Sequence, residues 1–199
     1  QQPTEAQGRA MGRFVNTFDG QYIAAEDVGV SPQYCDWMAQ ETSHIMGGET
    51  VSHGGDPSPF TSQGTFNAMK ACLAHAGRKV EFSGLKIAVQ GLGATGYRLA
   101  KLCRDHGATV IGTDVNPAAI ERAVKELGVV ALNPGQDIFA QECDILAPCA
   151  LGAVLNHSNI KHLKCAMICG TANNQLHEAA VDGPALKQRG ILYGPDFIV

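Results

Sequence analysis

The chain has 199 residues, of which 45% are hydrophobic and 17% charged, and its formal net charge is -4. The hydrophobic fraction excludes a disordered chain, and the length suits one large domain or one domain plus part of a second. An acidic balance without basic runs argues against a nucleic-acid partner. No apolar stretch reaches the roughly 20 residues that span a bilayer, so no membrane partner is expected.

Before residue 61 the sequence predicts short elements that are separated by turn-forming residues. In chain order these are a helix over 5–18, a short strand over 21–25, a helix from Ser31 to about His44 and a glycine- and proline-rich crossing over 47–60. Ser31 is the expected N-cap of the second helix, because a proline follows it at the first helical position. A further helix is predicted over 61–76.

From Leu85 onward, six short apolar runs alternate with helical patterns. The predicted strands are 86–90, 109–113, 129–131, 145–147, 166–169 and 191–193. Such alternation is typical of a parallel sheet with helices on both faces. The predicted class is therefore α/β: a doubly wound, Rossmann-like domain, preceded by part of a second α/β domain.

The first of these strands runs into a glycine-rich turn and then into a helical pattern. A G-x-G-x-x-G string in that context indicates a dinucleotide phosphate site. Gly91 permits the turn, Gly93 lets a pyrophosphate approach the backbone, and Gly96 lets the helix pack closely. The helix N-terminus offers free N–H groups to the anion. The expected cofactor contacts here are Gly91, Leu92, Gly93, Ala94, Thr95 and Gly96.

The second strand ends at Asp114, 18 residues after Gly96, which is close to the separation expected for a ribose-binding carboxylate. Such a carboxylate accepts hydrogen bonds from ribose hydroxyls and repels the 2′-phosphate of NADP. Because Val115 and the two residues after it add no cation, the sequence favours NAD. Val115 is included among the expected contacts, and a plain turn role for Asp114 is the alternative.

Two later segments, 147–152 and 170–175, follow the fourth and fifth strands, where the same fold places cofactor contacts. Cys149, Ala150 and Asn174 are the expected contacts, although Asn174 could instead only cap the following helix. The seven cysteines include no Cys-x-x-Cys pair or zinc spacing, so no metal is predicted. Buried, reduced thiols indicate a cytoplasmic protein, with Cys149 left open as a catalytic thiol.

Seven strings, taken together, resemble one family. They are GRFV (12–15), YIAAEDVG (22–29), DPSPFT (56–61), VQGLG (89–93), APCALG (147–152), ANNQL (172–176) and GILYGPDF (190–197). In this order they resemble the glutamate/leucine/phenylalanine/valine dehydrogenase superfamily, most closely its leucine and phenylalanine branch. The resemblance covers essentially the whole chain.

The resemblance implies NAD-dependent oxidative deamination of a hydrophobic L-amino acid, of the leucine, valine or phenylalanine type, to its 2-oxo acid and ammonia. Residues 1–60 would be the C-terminal part of the substrate domain with the crossing loop, 61–84 a connecting helix and linker, and 85–199 the NAD-binding domain. It also implies a small-molecule substrate and a homo-oligomer.

The resemblance assigns catalysis to Asp27 and contacts with the nicotinamide end to Thr61 and Asn174. A base is needed because hydride loss from Cα requires a neutral amine. From spacing alone, Asp27 is typical of a loop cap. The family's two catalytic lysines precede this Asp, whereas every lysine here follows it. We therefore expect an internal fragment with little activity of its own.

Two other functions fit parts of the sequence. A non-catalytic NAD-binding module would explain the missing lysines if the 199 residues were the whole protein. A different Rossmann enzyme, such as a hydroxy-acid or tetrahydrofolate dehydrogenase, would leave the strings around Asp27 and Asn174 unexplained.

Overall fold

A computed structural model describes residues 3–27, 29–50, 56–133 and 135–198. The chain divides into two compact units, Gln1–Pro57 and Ser58–Val199. The division lies close to the boundary at residue 60 that the sequence predicts. Val28 and residues 51–55 lie outside the described residues, and with them the middle of the predicted crossing over 47–60.

The described residues of the first unit form two helices, α1 (Glu5–Asn16) and α2 (Pro32–Ala39). Thr4 caps α1 in a reciprocal capping box with Gln7, and Ser31 caps α2 as predicted. The helices approach closely at Gly12, where an added Cβ would lie 2.3 Å from the carbonyl oxygen of Met38. A small apolar cluster fills this unit: Val15, Ala24, Cys35, Met38 and Ile45.

Three predictions for this unit are wrong in extent or type. α1 ends at Asn16 rather than at 18, and α2 ends at Ala39 rather than near His44. Residues 21–25 form no strand; Ala24 makes only an isolated parallel bridge with Ile45. Near the predicted end of α2, the carbonyl of His44 accepts the Ala24 N–H at 3.0 Å instead of a helical N–H.

The second unit begins with a long helix and continues with alternating strands and helices. Its elements are α3 (Ser58–His75), β1 (Lys86–Gln90), α4 (Ala94–Asp105), β2 (Thr109–Thr113), α5 (Pro117–Leu127), β3 (Val130–Ala131), β4 (Glu142–Pro148), α6 (His157–Ile160), β5 (Lys164–Ile168), α7 (Ala179–Gln188) and β6 (Leu192–Tyr193). Two 3-10 turns, Ile138–Ala140 and Asp196–Ile198, complete it.

The six strands form one parallel sheet in the order β3-β2-β1-β4-β5-β6, which confirms the doubly wound class. β1 and β2 have the predicted bounds. β4 is longer than predicted, because Glu142 and Cys143 already pair with β5. α3 starts at Ser58, earlier than predicted, so Thr61 lies inside the helix rather than at its start.

Alternating side chains of the sheet supply two separate cores. Ile87 and Val89 face a core that is shared with α3, α4 and α5, while Ala88 faces a second core that includes Leu186 of α7. The chain reverses its direction of winding between β1 and β4. In open α/β sheets, ligands bind outside the carboxyl ends of the strands at such a switch point.

Candidate functional site

The turn after β1 depends on two glycines for reasons internal to the chain. Gly91 has φ +96°, and an added Cβ would lie 2.9 Å from the carbonyl oxygen of Cys149. At Gly96 an added Cβ would lie 2.0 Å from the Gly91 carbonyl oxygen. The first turn of α4 therefore packs directly against the turn that follows β1. Both positions therefore require glycine whether or not a ligand binds.

Gly93 differs from these two glycines, because nothing in the described chain lies within 4 Å of a Cβ added there. It is exposed and occupies the N-cap of α4, without a side-chain capping bond. Open space therefore lies in front of the unpaired N–H groups of a 12-residue helix. This space and these donors suit the pyrophosphate of a dinucleotide.

Asp114 fixes the glycine turn to the end of β2. Its Oδ2 accepts the Leu92 N–H at 2.6 Å, and its Oδ1 accepts the Asn116 N–H at 2.8 Å. A carboxylate has about four acceptor sites, so ribose hydroxyls could bind to those that remain. The plain turn role and the ribose role are thus compatible. The next side chain, Val115, is fully exposed.

A hydroxyl bridge joins the glycine turn to the loop after β5. Thr95 Oγ1 and Thr171 Oγ1 lie 2.8 Å apart, and the Ser62 hydroxyl of α3 donates to the Thr95 carbonyl at 2.9 Å. The sequence did not single out Ser62. Thr171 lies within the predicted contact segment 170–175, but its own role was not predicted.

Cys149 lies at the end of β4, where burial raises the pKa of its thiol and a hydrogen bond with Thr171 partly offsets that rise. A protonated thiol at neutral pH is a weak nucleophile, so the burial of Cys149 argues against a catalytic thiol. Ala150 follows it, with its Cβ against Gly91. Both residues therefore pack directly against the glycine turn.

Asn174 adopts a left-handed conformation with φ +49°, which asparagine tolerates better than most residues. Its N–H donates to Asp196 Oδ2 at 2.8 Å, and its carbonyl accepts the Ala153 N–H at 2.7 Å. α7 begins later, with Glu178 as its N-cap, so Asn174 does not cap this helix. The capping alternative is therefore excluded.

Asp27 lies in the first unit, in a turn where its carbonyl accepts the Val30 N–H at 2.8 Å. Beside it, burial and the nearby Asp56 raise the pKa of Glu26. Glu26 Oε2 is buried, without a hydrogen-bond partner among the described residues. The sequence did not single out Glu26. Thr61 and Asn174 belong to the second unit, and the Thr61 carbonyl accepts the Thr65 hydroxyl at 2.9 Å.

A groove of about 790 Å³ lies between the glycine turn, α4 and the start of α5. Two arginines line it, Arg98 and Arg122. The Arg122 guanidinium lies 4.0 Å from the centre of the Tyr97 ring and donates to the Leu92 carbonyl at 3.4 Å. Basic side chains thus lie near the turn, although none follows Asp114 directly in the sequence.

Within the described part of the chain, no helix is long and apolar enough to cross a membrane. The same residues contain no group of three His, Cys, Asp or Glu side chains that could hold a metal ion.

Residues 118–199 match the family model of the glutamate/leucine/phenylalanine/valine dehydrogenases. The leucine dehydrogenase of Thermoactinomyces intermedius is 41% identical over 196 residues, which are 98% of this chain and 53% of that protein. Over nearly its whole length, the chain is thus similar to members of this dehydrogenase family. It spans about half the length of the curated relatives it matches.

Solved structures show the same architecture. The crystal structure of L-tryptophan dehydrogenase from Nostoc punctiforme superposes with a TM-score of 0.76 at 35% identity, covering 98% of this chain and 55% of that one. A hetero-hexameric glutamate dehydrogenase from Thermus thermophilus gives a TM-score of 0.76 at 20% identity, covering 98% and 52%. The second likeness concerns the fold alone.

Proposed function

We propose that the protein acts in the NAD-dependent oxidative deamination of a hydrophobic L-amino acid to its 2-oxo acid and ammonia. The observation that carries the proposal is the glycine turn, in which Gly91 and Gly96 are packed tightly and Gly93 faces open space. The relatives named leucine and L-tryptophan dehydrogenase supply the substrate class. When bound, NAD would accept the hydride from the substrate Cα.

In this proposal the dinucleotide lies across the carboxyl ends of β1 and β4. Residues 91–96 bind the pyrophosphate through backbone N–H groups, and Asp114 accepts hydrogen bonds from the adenosine ribose. Val115, Cys149 and Ala150 line the crevice. Thr61 and Asn174 hold the nicotinamide end.

The choice of NAD over NADP rests on the charge of Asp114. A 2′-phosphate beside this carboxylate would meet like charge, and the Arg122 guanidinium already contacts Tyr97 and the Leu92 carbonyl. We therefore propose weaker binding of NADPH than of NADH. If NADPH binds as tightly as NADH, Arg98 and Arg122 of the groove are the residues to test for contacts with its 2′-phosphate.

Asp27 is the proposed base. The substrate amine is protonated at neutral pH and must lose a proton before hydride leaves Cα. A carboxylate can accept that proton if its neighbours tune its pKa. The adjacent Glu26 has a raised pKa, and one of its oxygens is buried without a described partner.

NADH titration of the purified chain by calorimetry tests the cofactor part of the proposal. We expect saturable binding, and its absence would overturn the proposed site. Because no lysine precedes Asp27, we expect the same chain to oxidise leucine, valine or phenylalanine slowly or not at all. Robust turnover by a chain of verified mass would contradict the assigned need for those lysines.

Asp27→Asn tests the base in a longer form of the protein that contains the lysines. The amide keeps the shape of the side chain but cannot accept the proton, so turnover should fall by a factor of at least about 100. Retained kcat would remove Asp27 from the mechanism. NADH affinity should not change, which separates loss of the base from loss of the fold.

We also propose that the protein forms a homo-oligomer and is cytoplasmic. Light scattering measures the mass of the assembly in solution.

A further inference from the structure

Two cysteines from distant parts of the sequence meet in the second unit. Cys72 lies on α3 and Cys169 follows β5, and their thiols hydrogen-bond to each other. Both sulfurs border Gly194, where an added Cβ would lie 3.1 Å from Cys72 Sγ and 3.3 Å from Cys169 Sγ. The missing side chain of Gly194 leaves room for the two sulfurs side by side.

The two thiols differ in exposure and in acidity. Cys72 is half-buried, whereas Cys169 is completely buried. The hydrogen bond from Cys169 lowers the pKa of Cys72 to about 7, although burial opposes this. The same hydrogen bond and burial raise the pKa of Cys169. An accessible thiolate beside a protonated thiol is the arrangement found in redox-sensitive cysteine pairs.

We propose that Cys72 and Cys169 are a peroxide-sensitive pair that forms a reversible disulfide. The Cys72 thiolate attacks one oxygen of hydrogen peroxide, the O–O bond breaks, and hydroxide leaves as the sulfenic acid forms. The Cys169 sulfur then attacks Cys72 Sγ, the S–O bond breaks, and water leaves with the proton of Cys169. Two thiols are thereby oxidised by two electrons, and one peroxide is reduced to two waters.

A second pair in the same sheet provides an internal comparison. Cys143 and Cys165 are register neighbours on β4 and β5, and their thiols also hydrogen-bond to each other. Neighbouring parallel strands lie about 4.8 Å apart with their Cβ atoms pointing the same way. A disulfide needs a Cβ separation of roughly 3.5–4.5 Å. Strand pairing on both sides fixes the backbone of β4 and limits any adjustment of this separation, so we expect the pair to stay reduced.

The disulfide would link α3 covalently to the carboxyl end of β5, immediately before the loop that contains Thr171 and Asn174. It would also close a long loop of the chain, which restricts the unfolded state. Oxidation should accordingly raise the thermal midpoint, and dithiothreitol should reverse the shift. The proposal stands whether or not the chain binds a nucleotide.

The test treats the reduced, purified protein with excess hydrogen peroxide, then denatures it in N-ethylmaleimide and maps the peptides by mass spectrometry. We expect two of the seven cysteines to escape alkylation and the Cys72 and Cys169 peptides to be linked. Dithiothreitol should restore both thiols. A linked Cys143–Cys165 peptide instead, or no intramolecular link, would overturn the proposal.

Single substitutions separate the two roles. Cys72→Ser should abolish the link and leave Cys169 alkylatable, while Cys169→Ser should leave a Cys72 sulfenic acid that dimedone traps. Because position 72 is only half-buried, the Cys72→Ser protein should fold, so that it tests the pair even if Cys169→Ser does not fold. A Cys72→Ser protein that still loses two thiols to peroxide would contradict the assignment.

Discussion

Thr95 Oγ1 lies 2.8 Å from Thr171 Oγ1, so that one hydrogen bond joins the glycine turn after β1 to the loop after β5. These two segments flank the switch point of the sheet. The Thr171 hydroxyl also bonds to the Cys149 thiol at the end of β4. Three strand ends at the candidate crevice are thus tied together through one side chain.

Thr171→Val should weaken NADH binding, because it removes the hydroxyl and keeps the volume of the side chain. The loss of one hydrogen bond between the two loops corresponds to about 1 kcal/mol, or roughly fivefold in Kd. Calorimetric titration checks this, with Thr171→Ser as the matched variant that restores the hydroxyl. Affinity for AMP should change less, since AMP does not reach the β5 loop in the proposed pose. Equal NADH affinity of the Val and Ser variants would contradict the prediction.

Gly93→Ala and Gly96→Ala form a matched pair, because both add one methyl group to the same turn. The Cβ at position 93 meets nothing, so the free energy of unfolding should change by less than about 1 kcal/mol. The Cβ at position 96 would overlap the Gly91 carbonyl, so stability should fall by about 3 kcal/mol or more.

Urea unfolding and NADH titration together decide between packing and binding at these glycines. Gly93→Ala should be stable but bind NADH at least about tenfold more weakly, since its methyl group occupies the pyrophosphate space. Normal NADH affinity in Gly93→Ala would show that the pyrophosphate does not bind at this turn. Undiminished stability in Gly96→Ala would contradict the packing described for α4.

The local parts of the structure were those that the sequence predicted best. β1 and β2 have the predicted bounds, because each is a buried apolar run between turn-forming residues. The strand expected over 21–25 failed, because a strand exists only if a partner pairs with it and Ala24 alone finds one. Thr171 and the Cys72–Cys169 pair were missed, because their partners lie far away in sequence and no local pattern encodes such contacts.

Asp114→Asn separates the two uses of this carboxylate. The amide oxygen can still accept one backbone N–H, so the fold should persist with a modest loss of stability. Removal of the charge should narrow the preference for NADH over NADPH by about tenfold, because the repulsion of a 2′-phosphate disappears. The ratio of the two dissociation constants, measured at one ionic strength, checks this. An unchanged ratio would show that Asp114 does not face the ribose.

Asp144 links β4 to β1 and to the segment after α3. Its Oδ1 accepts a hydrogen bond from the Arg78 guanidinium at 2.7 Å, and its Oδ2 accepts one from the Lys86 N–H at 2.8 Å. Burial raises its pKa, but the Lys86 N–H and the Arg78 guanidinium outweigh this, and the pKa lies below its ordinary value. A carboxyl with a lowered folded-state pKa stabilises the fold above its unfolded pKa, and this contribution disappears as the pH falls through the folded value.

Asp144→Asn should therefore lower the free energy of unfolding by about 2 kcal/mol at pH 7. The difference from the unsubstituted protein should begin to shrink as the pH falls below about 4, where the unfolded carboxyl becomes protonated, and should disappear once the pH is also below the lowered folded-state pKa. Urea unfolding at several pH values measures both effects. Asp105→Asn is the control, because its ion pair with Lys101 is exposed on one helix and should contribute less than about 0.5 kcal/mol. An equal loss in the two variants, or a loss at Asp144 that does not depend on pH, would show that this partly buried ion pair contributes no more to stability than an exposed one.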